Sequence, residues 1–418
     1  MMSVPQHSHK NWPELQLSHR VRSIEEALSI YINQLVYDMK RQGETVTTLS
    51  LGEAFFDLPL FDFSKLDKEK GFHYSSSRGA PELREKIARF YNDRYGSSVD
   101  ADTNLLVTAG SKPAIFMALQ AILDPGDEVL IPEPAWLSYQ EHVRLLDAEP
   151  RFIRYDAPID SFHEHFTSRT RILVLNNPNN PSGRIYTHDE LRQIYETCRE
   201  RGAYLLVDEA YSDFVQEQAD FSSIASVVPD LDGVIVVNSL SKNLGMSGFR
   251  IGYTIADPSF TSVILKLNQH LITCAPSMLV HYVASYFDDI IEVTMPQIRK
   301  LVEKRNRVAA MMDSIGLDYL PGGGTFYFFV SLGDSPNDGF DLAIQLLLRE
   351  RIAVVPGAAY GASTERFLRV SVGTESEEQI EHALRRIRAA LIEPKYDSTE
   401  LSRQLAVKGL PLFQRRGS

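Results

Sequence analysis

Between residues 105 and 237, short apolar runs alternate with segments of helical periodicity. The runs fall at 105–107, 128–131, 151–154, 172–175, 204–207 and 234–237. Short apolar runs alternating with helical patterns are what a mainly parallel sheet covered by helices requires. Between the fourth and fifth lies HDELRQIYETCRERG, with acids in its first turn, apolar residues at helical spacing and Gly202 placed to end it. APELREKIARFYNDRYG reads the same way, with Pro81 near its first turn and Gly96 at its end. This order predicts an α/β fold: a mainly parallel sheet flanked by helices. After about residue 255 the pattern changes to long helices over 259–287 and 292–315, then to a strand-rich stretch at 324–330, which predicts a second, smaller α+β domain.

The segment after each run carries the candidate chemistry, because ligands of open α/β sheets sit outside the carboxyl ends of the strands. The run at 105–107 leads into Thr108-Ala109-Gly110-Ser111-Lys112, that at 172–175 into NNPNNPSG, that at 204–207 into Asp208-Glu209-Ala210-Tyr211, and that at 234–237 into NSLSKNLGMSGFR. Four ends converge on one crevice. Read alone, Lys242 is a solvated loop residue. In a partly dry crevice its amine has a lowered pKa and suits a Schiff base with an aldehyde cofactor. Ser239, Ser241 and Arg250 would then hold that cofactor's phosphate.

Gly110 and Ser111 open a helix expected at 114–123, which makes them either a plain helix cap or an anion site. Pro113 removes one N–H donor there, but proline is tolerated in a first turn. Asp208 ends an apolar strand, where a carboxylate needs a partner. A protonated pyridine nitrogen, a helix N-terminus and an arginine all qualify.

Composition narrows the classes. The 418 residues are 44% hydrophobic and 23% charged, an ordinary globular balance for a chain long enough to form more than one core. With 43 Lys and Arg against 55 Asp and Glu, the net charge is −12, so a broad basic field for nucleic acid is absent. Two cysteines, Cys198 and Cys274, offer neither a disulfide framework nor a metal cluster and fit a reducing compartment. No apolar stretch approaches a membrane span and the first residues lack a signal-peptide core, so a cytoplasmic protein is expected.

Together LSLGEAFFDLP, HYSSSRGAPELREKIARFY, LLVTAGSKPAIFMALQAILDPGDEVLIPEPAW, NNPNNPSG, VDEAY, SLSKNLGMSGFRIGY and FLRVSVG resemble, in the same order, the class I and II aminotransferases, pyridoxal 5'-phosphate enzymes of fold type I. The resemblance runs from about residue 49 to 373. It implies that Lys242 forms the internal aldimine and moves a proton between substrate Cα and cofactor C4', that Asp208 pairs with the pyridinium nitrogen, and that Asn180 and Tyr211 bond the phenolic oxygen. Trp136 matches the ring-stacking aromatic. Gly110, Ser111, Lys112, Ser239, Ser241 and Arg250 match the phosphate site, and Tyr74 matches a tyrosine that reaches the phosphate of a neighbouring subunit, so the resemblance also implies a homodimer. Arg369 corresponds to the fork that grips the substrate α-carboxylate, with Gly52 and Asn180 beside it. The implied organisation is an extension at 1–16, a small domain from 17–57 and 304–394, a large cofactor-binding domain at 58–303 and a loose polar extension at 395–418.

The function implied is ping-pong transfer of an amino group from an L-amino acid to a 2-oxo acid. Three alternatives share the motifs: β-elimination at a carbon–sulfur bond, elimination with cyclisation, and a binding module without chemistry. No GxGxxG follows the first strand, which disfavours a nucleotide-linked dehydrogenase. Phe55, Phe56, Tyr139, Phe326 and Tyr327 either line an apolar substrate pocket or pack a domain interface. Arg20 and Arg22 either fold over the site or carry solvated surface charge.

Overall fold

The structure is a computed structural model that describes residues 17–413 apart from Ser23 and Leu60. Its strands are β1 (Thr47–Thr48), β2 (Leu105–Thr108), β3 (Glu128–Pro132), β4 (Glu149–Ile153), β5 (Thr170–Asn176), β6 (Tyr204–Asp208), β7 (Val234–Ser239), β8 (Gly252–Ala256), β9 (Tyr327–Ser331), β10 (Ile352–Ala353), β11 (Val355–Pro356) and β12 (Phe367–Ser371). Seven form one sheet in the order β2-β8-β7-β6-β5-β3-β4. Only β8 runs against its neighbours in it.

The apolar runs are explained by helices on both faces. On one face Leu105, Val107, Leu173, Leu175, Leu205 and Val207 meet Leu83, Ile87 and Tyr91 of the helix Pro81–Tyr95 and Leu191 and Ile194 of the helix His188–Glu200. On the other, Leu106, Val129, Ile131, Val174, Leu206 and Ile235 meet Ala114, Ile115 and Ala118 of the helix Ser111–Ile122. Alternate residues of one strand thus serve two cores. The helix His188–Glu200 starts where the sequence predicts: Thr187 accepts the Glu190 N–H at 3.2 Å while Glu190 accepts the Thr187 N–H at 2.8 Å. Gly96 ends the helix Pro81–Tyr95 at φ 67°, a conformation only glycine adopts freely.

Three elements differ from the sequence expectation. β8 has no counterpart among the six expected strands. The long helix expected at 259–287 is two: Pro258–Leu271 stops before a left-handed Thr273 (φ 79°), and a new helix starts after Pro276. That second helix, Ser277–Ser314, bends at Tyr286 but continues through 288–291, because Phe287, Ile290, Thr294 and Ile298 keep a buried stripe at helical spacing. Finally, the stretch from Lys395, expected to be loose, holds the helix Ser398–Val407. Leu401, Leu405 and Leu410 are buried against Leu28, Tyr31, Ile32 and Leu35 of the helix Leu28–Arg41, and Tyr31 donates its hydroxyl to the Pro411 carbonyl at 2.9 Å. The expected extension at 1–16 lies outside the described residues.

A second architecture surrounds the smaller sheets. β11, β12 and β9 form an antiparallel sheet, and β1 pairs in parallel with β10, Thr47 facing Ile352. No helix of the described residues is long and apolar enough to cross a membrane.

Packing of the C-terminal helix is measurable. Leu405→Ala, at a position 3% exposed, should lower unfolding stability by about 2 kcal/mol or more, as buried leucine truncations do. Urea unfolding of the two proteins checks it; an unchanged midpoint would mean that the helix is not docked in solution.

Candidate active site

The carboxyl ends of β2, β5, β6 and β7 open on a cleft of about 480 Å³. Ser111 and Lys112 enter it after β2, Asn176 and Asn180 at and after β5, Asp208 and Tyr211 at and after β6, and Ser239, Ser241 and Lys242 at and after β7. Ser247 and Arg250 come from the loop that returns to β8, while Gly52, Tyr327 and Arg369 close the opposite wall.

Asp208 is buried at the floor. Tyr139 donates its hydroxyl to Oδ2 at 2.7 Å and the Ala210 N–H donates to Oδ1 at 3.1 Å. Burial pushes the Asp208 carboxyl above its ordinary range, while these two donors and the Lys242 charge pull it back. The backbone around it is fixed by Asn176, whose amide donates to the Asp208 carbonyl at 2.8 Å and whose Oδ1 accepts the Asn180 N–H at 2.6 Å.

Lys242 stands on the one-turn helix Leu240–Asn243, capped by Ser239, which accepts the Ser241 N–H at 3.0 Å. Its Nζ donates to the Gly52 carbonyl at 2.7 Å and lies 5.8 Å from the centre of the Tyr211 ring. Removal from water lowers its pKa to about 8, Glu53 and Asp208 opposing that shift and Arg369 and Arg250 adding to it. The Tyr211 and Tyr327 hydroxyls meet at 2.9 Å.

Two groups of cations face the cleft without protein anions. Arg369, on β12, is 5% exposed. It donates to the Ser50 carbonyl at 2.6 Å and, at 3.5 Å, to Asn180 Oδ1, and its guanidinium lies 4.6 Å from the Tyr327 ring centre and 5.4 Å from that of Tyr360. Its Nε has no acceptor, and among the described residues no carboxylate pairs with it. At the other end, Lys112 lies 5.1 Å over the Trp136 ring and Arg250 donates to the Ser247 carbonyl at 2.8 Å. Neither pairs with a carboxylate among the described residues. A Cβ on Gly110 (φ 93°) would come within 2.6 Å of Arg250 Nη2, and one on Gly252 within 2.4 Å of the Ser111 nitrogen. Gly110 thus leaves room for the Arg250 guanidinium beside the start of the helix Ser111–Ile122, where backbone N–H groups favour an anion, and Gly252 lets β8 pass close against the backbone of that start. The set offers cations for a phosphate at one end, a buried carboxylate and a partly neutral amine between, and an open guanidinium fork for a carboxylate at the other end.

The structure thus brings together the sequence candidates Ser111, Lys112, Trp136, Asn180, Asp208, Tyr211, Ser239, Ser241, Lys242, Arg250, Gly52 and Arg369. Tyr74 is not among them: it lies outside the cleft, 86% exposed. Of the five candidate pocket aromatics, Tyr139 and Tyr327 line the cleft, but the other three do not. Phe326 is buried in the core beside Tyr211, Phe55 is exposed, and Phe56 packs at the edge of that core. Arg20 pairs with Asp147, away from the site. Asn176, Ser50 and the Tyr139–Asp208 bond escape a sequence reading, since each joins positions with no local pattern between them. Glu53, which accepts the Ser247 hydroxyl at 2.6 Å, does so as well.

The family model for aminotransferase class I and II matches residues 37–387. The chain is 33% identical to the (5-formylfuran-3-yl)methyl phosphate transaminase of Methanocaldococcus jannaschii, over 90% of this chain and 99% of that protein. It is 32% identical to the probable aspartate/prephenate aminotransferase of Aquifex aeolicus, over 90% and 99% respectively. Among solved structures it superposes on the Thermus thermophilus aspartate aminotransferase with maleate at a TM-score of 0.81, with 28% identity, covering 90% of this chain and all of that one.

The titration of Lys242 gives a direct check. A small aldehyde trapped with a borohydride reacts with neutral amines only, so modification of Lys242, followed by peptide mass spectrometry, should rise with pH around a midpoint of about 8. Surface lysines should rise near 10.4. A midpoint for Lys242 among the surface values would contradict its desolvation.

Proposed function

Because this chain belongs to the class I and II aminotransferases and is a pyridoxal phosphate-dependent aminotransferase, we propose a role for each side chain of the cleft in transfer between an L-amino acid and a 2-oxo acid. The observation that carries the assignment is the pair of unneutralised cationic ends, Arg369 at one and Lys112 with Arg250 at the other, with Asp208 and Lys242 between them. When bound, the cofactor supplies an aldehyde that carries the amino group and a protonated ring that draws electrons from the substrate Cα.

Lys242 would hold the cofactor through its amine and serve as the base that moves the proton between Cα and C4'. Its lowered pKa suits both tasks, since a neutral amine is nucleophile and base. Asp208 answers the protonated ring nitrogen, and Tyr139 and the Ala210 N–H aim its two oxygens. Asn180 and Tyr211 would hydrogen-bond the phenolic oxygen of a bound cofactor, and Trp136 would offer its ring a stacking face. Gly110, Ser111, Lys112, Ser239, Ser241 and Arg250 receive the phosphate; Arg369, with Gly52 and Asn180, receives the substrate α-carboxylate. Ile30, Leu51 and Tyr327 line the cleft together with Ser29, Asn33 and Glu53, so the edge open to the substrate side chain is part apolar and part polar.

The same reading extends to assembly. A homodimer would cover Tyr74, Phe72 and Phe55, which stand 86%, 75% and 69% exposed on the single chain, and would bring Tyr74 to the phosphate of the neighbouring site. Residues 58–303 act as the cofactor-binding domain, and 17–57 with 304–394 as the smaller domain bearing Arg369. Both cysteines are free thiols, which supports a cytoplasmic enzyme.

The absorption spectrum, scanned during titration with L-amino acids and no oxo acid, tests the assignment. The visible band should give way stoichiometrically to the amine form as 2-oxo acid is released. Ammonia or thiol accumulating while the band persists would instead indicate elimination. Lys242→Ala should still bind cofactor but lose kcat by roughly 10³-fold or more, the scale of a lost acid–base group; wild-type turnover would remove Lys242 from the mechanism.

Arg369→Ala should raise KM for amino and oxo acids about 10- to 100-fold, the loss expected for bonds to a charged carboxylate. Steady-state kinetics with both substrates check this, and an unchanged KM would assign the fork elsewhere.

A further inference from the structure

Behind the cleft, five residues beyond Asp208, Asp213 is fully enclosed, its side chain 0% exposed. Its Oδ1 accepts from Arg94 Nε at 2.6 Å and lies 2.9 Å from the Tyr95 hydroxyl. Its Oδ2 accepts from the side-chain amide of Asn243 at 3.0 Å. Asn243 is the residue after Lys242 and is itself 4% exposed. At the other end of the same segment, Asn238 donates to the Tyr91 hydroxyl at 2.8 Å and to Ser212 Oγ at 3.3 Å, and its Oδ1 accepts the Ser239 N–H at 2.6 Å. Tyr91 in turn donates to Glu209 at 3.0 Å. Residues 238 and 243, which bracket Lys242, are therefore each tied to the 208–213 segment, directly or through the helix Pro81–Tyr95.

A helix of four residues has almost no stability of its own, since nucleation is the costly step. Core packing of Leu240 and Leu244 and the Leu240 N–H bond to the Ile251 carbonyl anchor the start of Leu240–Asn243, and the side-chain ties above fix its two ends laterally. Charge on the acceptor makes the Asp213 bond the strongest of them on the Lys242 side. Arg94 and Tyr95 already serve Oδ1, so the Asn243 amide is the partner of Oδ2 and not a surplus contact.

We propose that Asp213 and Asn243 are a positioning pair that sets where the Lys242 amine stands relative to the Asp208 carboxylate. This rests on the roles proposed for Lys242 and Asp208 in the transfer reaction. Those two groups address opposite ends of one rigid ring, so the separation of their backbone segments is a catalytic dimension. Asp208 is fixed by Tyr139, Ala210 and Asn176, whereas the Lys242 side chain has four rotatable bonds. Its backbone is the place where geometry can be imposed, and the Asp213–Asn243 bond joins the two segments without touching ligand.

The test compares Asn243→Ala, Tyr95→Phe and the swap Asp213→Asn with Asn243→Asp, all as cofactor-loaded enzymes well below their melting temperatures. Tyr95→Phe removes a neighbour of the same carboxylate but leaves the Asn243 bond. The swap reverses donor and acceptor and so restores that bond at the expense of the Arg94 ion pair. For Asn243→Ala, kcat should fall about ten-fold or more with KM changed less than about two-fold, on the scale of an ångström-level misplacement. The pH midpoint of the bound cofactor's visible band should move by roughly half a unit, a measurable change in the amine's surroundings. Tyr95→Phe should lower Tm and leave both values unchanged, and the swap should return both toward wild type.

Wild-type kcat and midpoint in Asn243→Ala, or equal changes in Tyr95→Phe for the same loss of Tm, would reduce the pair to a purely structural contact and overturn the proposal. A swap protein that folds but stays as impaired as Asn243→Ala would do the same. Wild-type enzyme with no visible band would overturn the roles of Lys242 and Asp208, and the positioning pair with them; its presence together with a normal Asn243→Ala would overturn the pair alone.

Discussion

Charge held out of water without a protein counter-ion is the condition around which the cleft is built. A guanidinium at 5% exposure with a vacant Nε is a costly thing to fold, because a buried polar donor left unmade forfeits its hydration. The fold limits the cost through the Ser50 carbonyl and the rings of Tyr327 and Tyr360, none of which carries a formal charge. Asp208 and Lys242 feel the same desolvation with opposite consequences, the carboxyl drawn up and the amine drawn down. Each is moved toward its neutral form, and a ligand that brings a cation to one and an electrophile to the other relieves both. Whatever binds there stabilises the folded chain by mass action.

Most strands of the large sheet were legible because they are covered on both faces, which writes them as apolar runs; the edge strand β4, with Glu149 and Arg151 exposed, is the exception among the six expected. β8 is just as buried, yet GYTIA follows directly on the Arg250 loop and carries no turn residues to separate it. The helix boundaries at 271 and 277 depend on Thr273 adopting a left-handed conformation, which threonine does not announce. The helix Ser398–Val407 is polar enough to read as a tail; its few leucines matter only because the helix Leu28–Arg41 lies opposite them.

In the cleft, residues immediately after strands were readable because strand ends are where chain direction and polarity change together. The supporting residues were not. Tyr139 reaches Asp208 across 69 positions, Arg369 reaches Ser50 across 319, and Asn243 reaches Asp213 across 30. Such partners are set by the topology of the sheet and not by any spacing along the chain. Tyr139 shows the difference plainly: the sequence left it open between a pocket wall and interface packing, and the structure places it in the cleft wall with its hydroxyl on Asp208.

The pairing of β1 with β10, together with the donation of Arg369 to the Ser50 carbonyl, has a consequence in time. Every strand of the seven-stranded sheet has left the ribosome once residue 256 is clear of it, so the end of the cleft with Lys112, Arg250 and Lys242 can assemble while the rest of the chain is still being made. The end that holds Arg369 forms later, because Arg369 follows residue 256 by more than a hundred positions and must close on Ser50, made near the start. At roughly 5–20 residues per second, the nascent chain spends about 5–20 s with one end of its cleft formed and the other missing. For that interval the emerging protein presents the Lys112 and Arg250 end of its cleft without the Arg369 end.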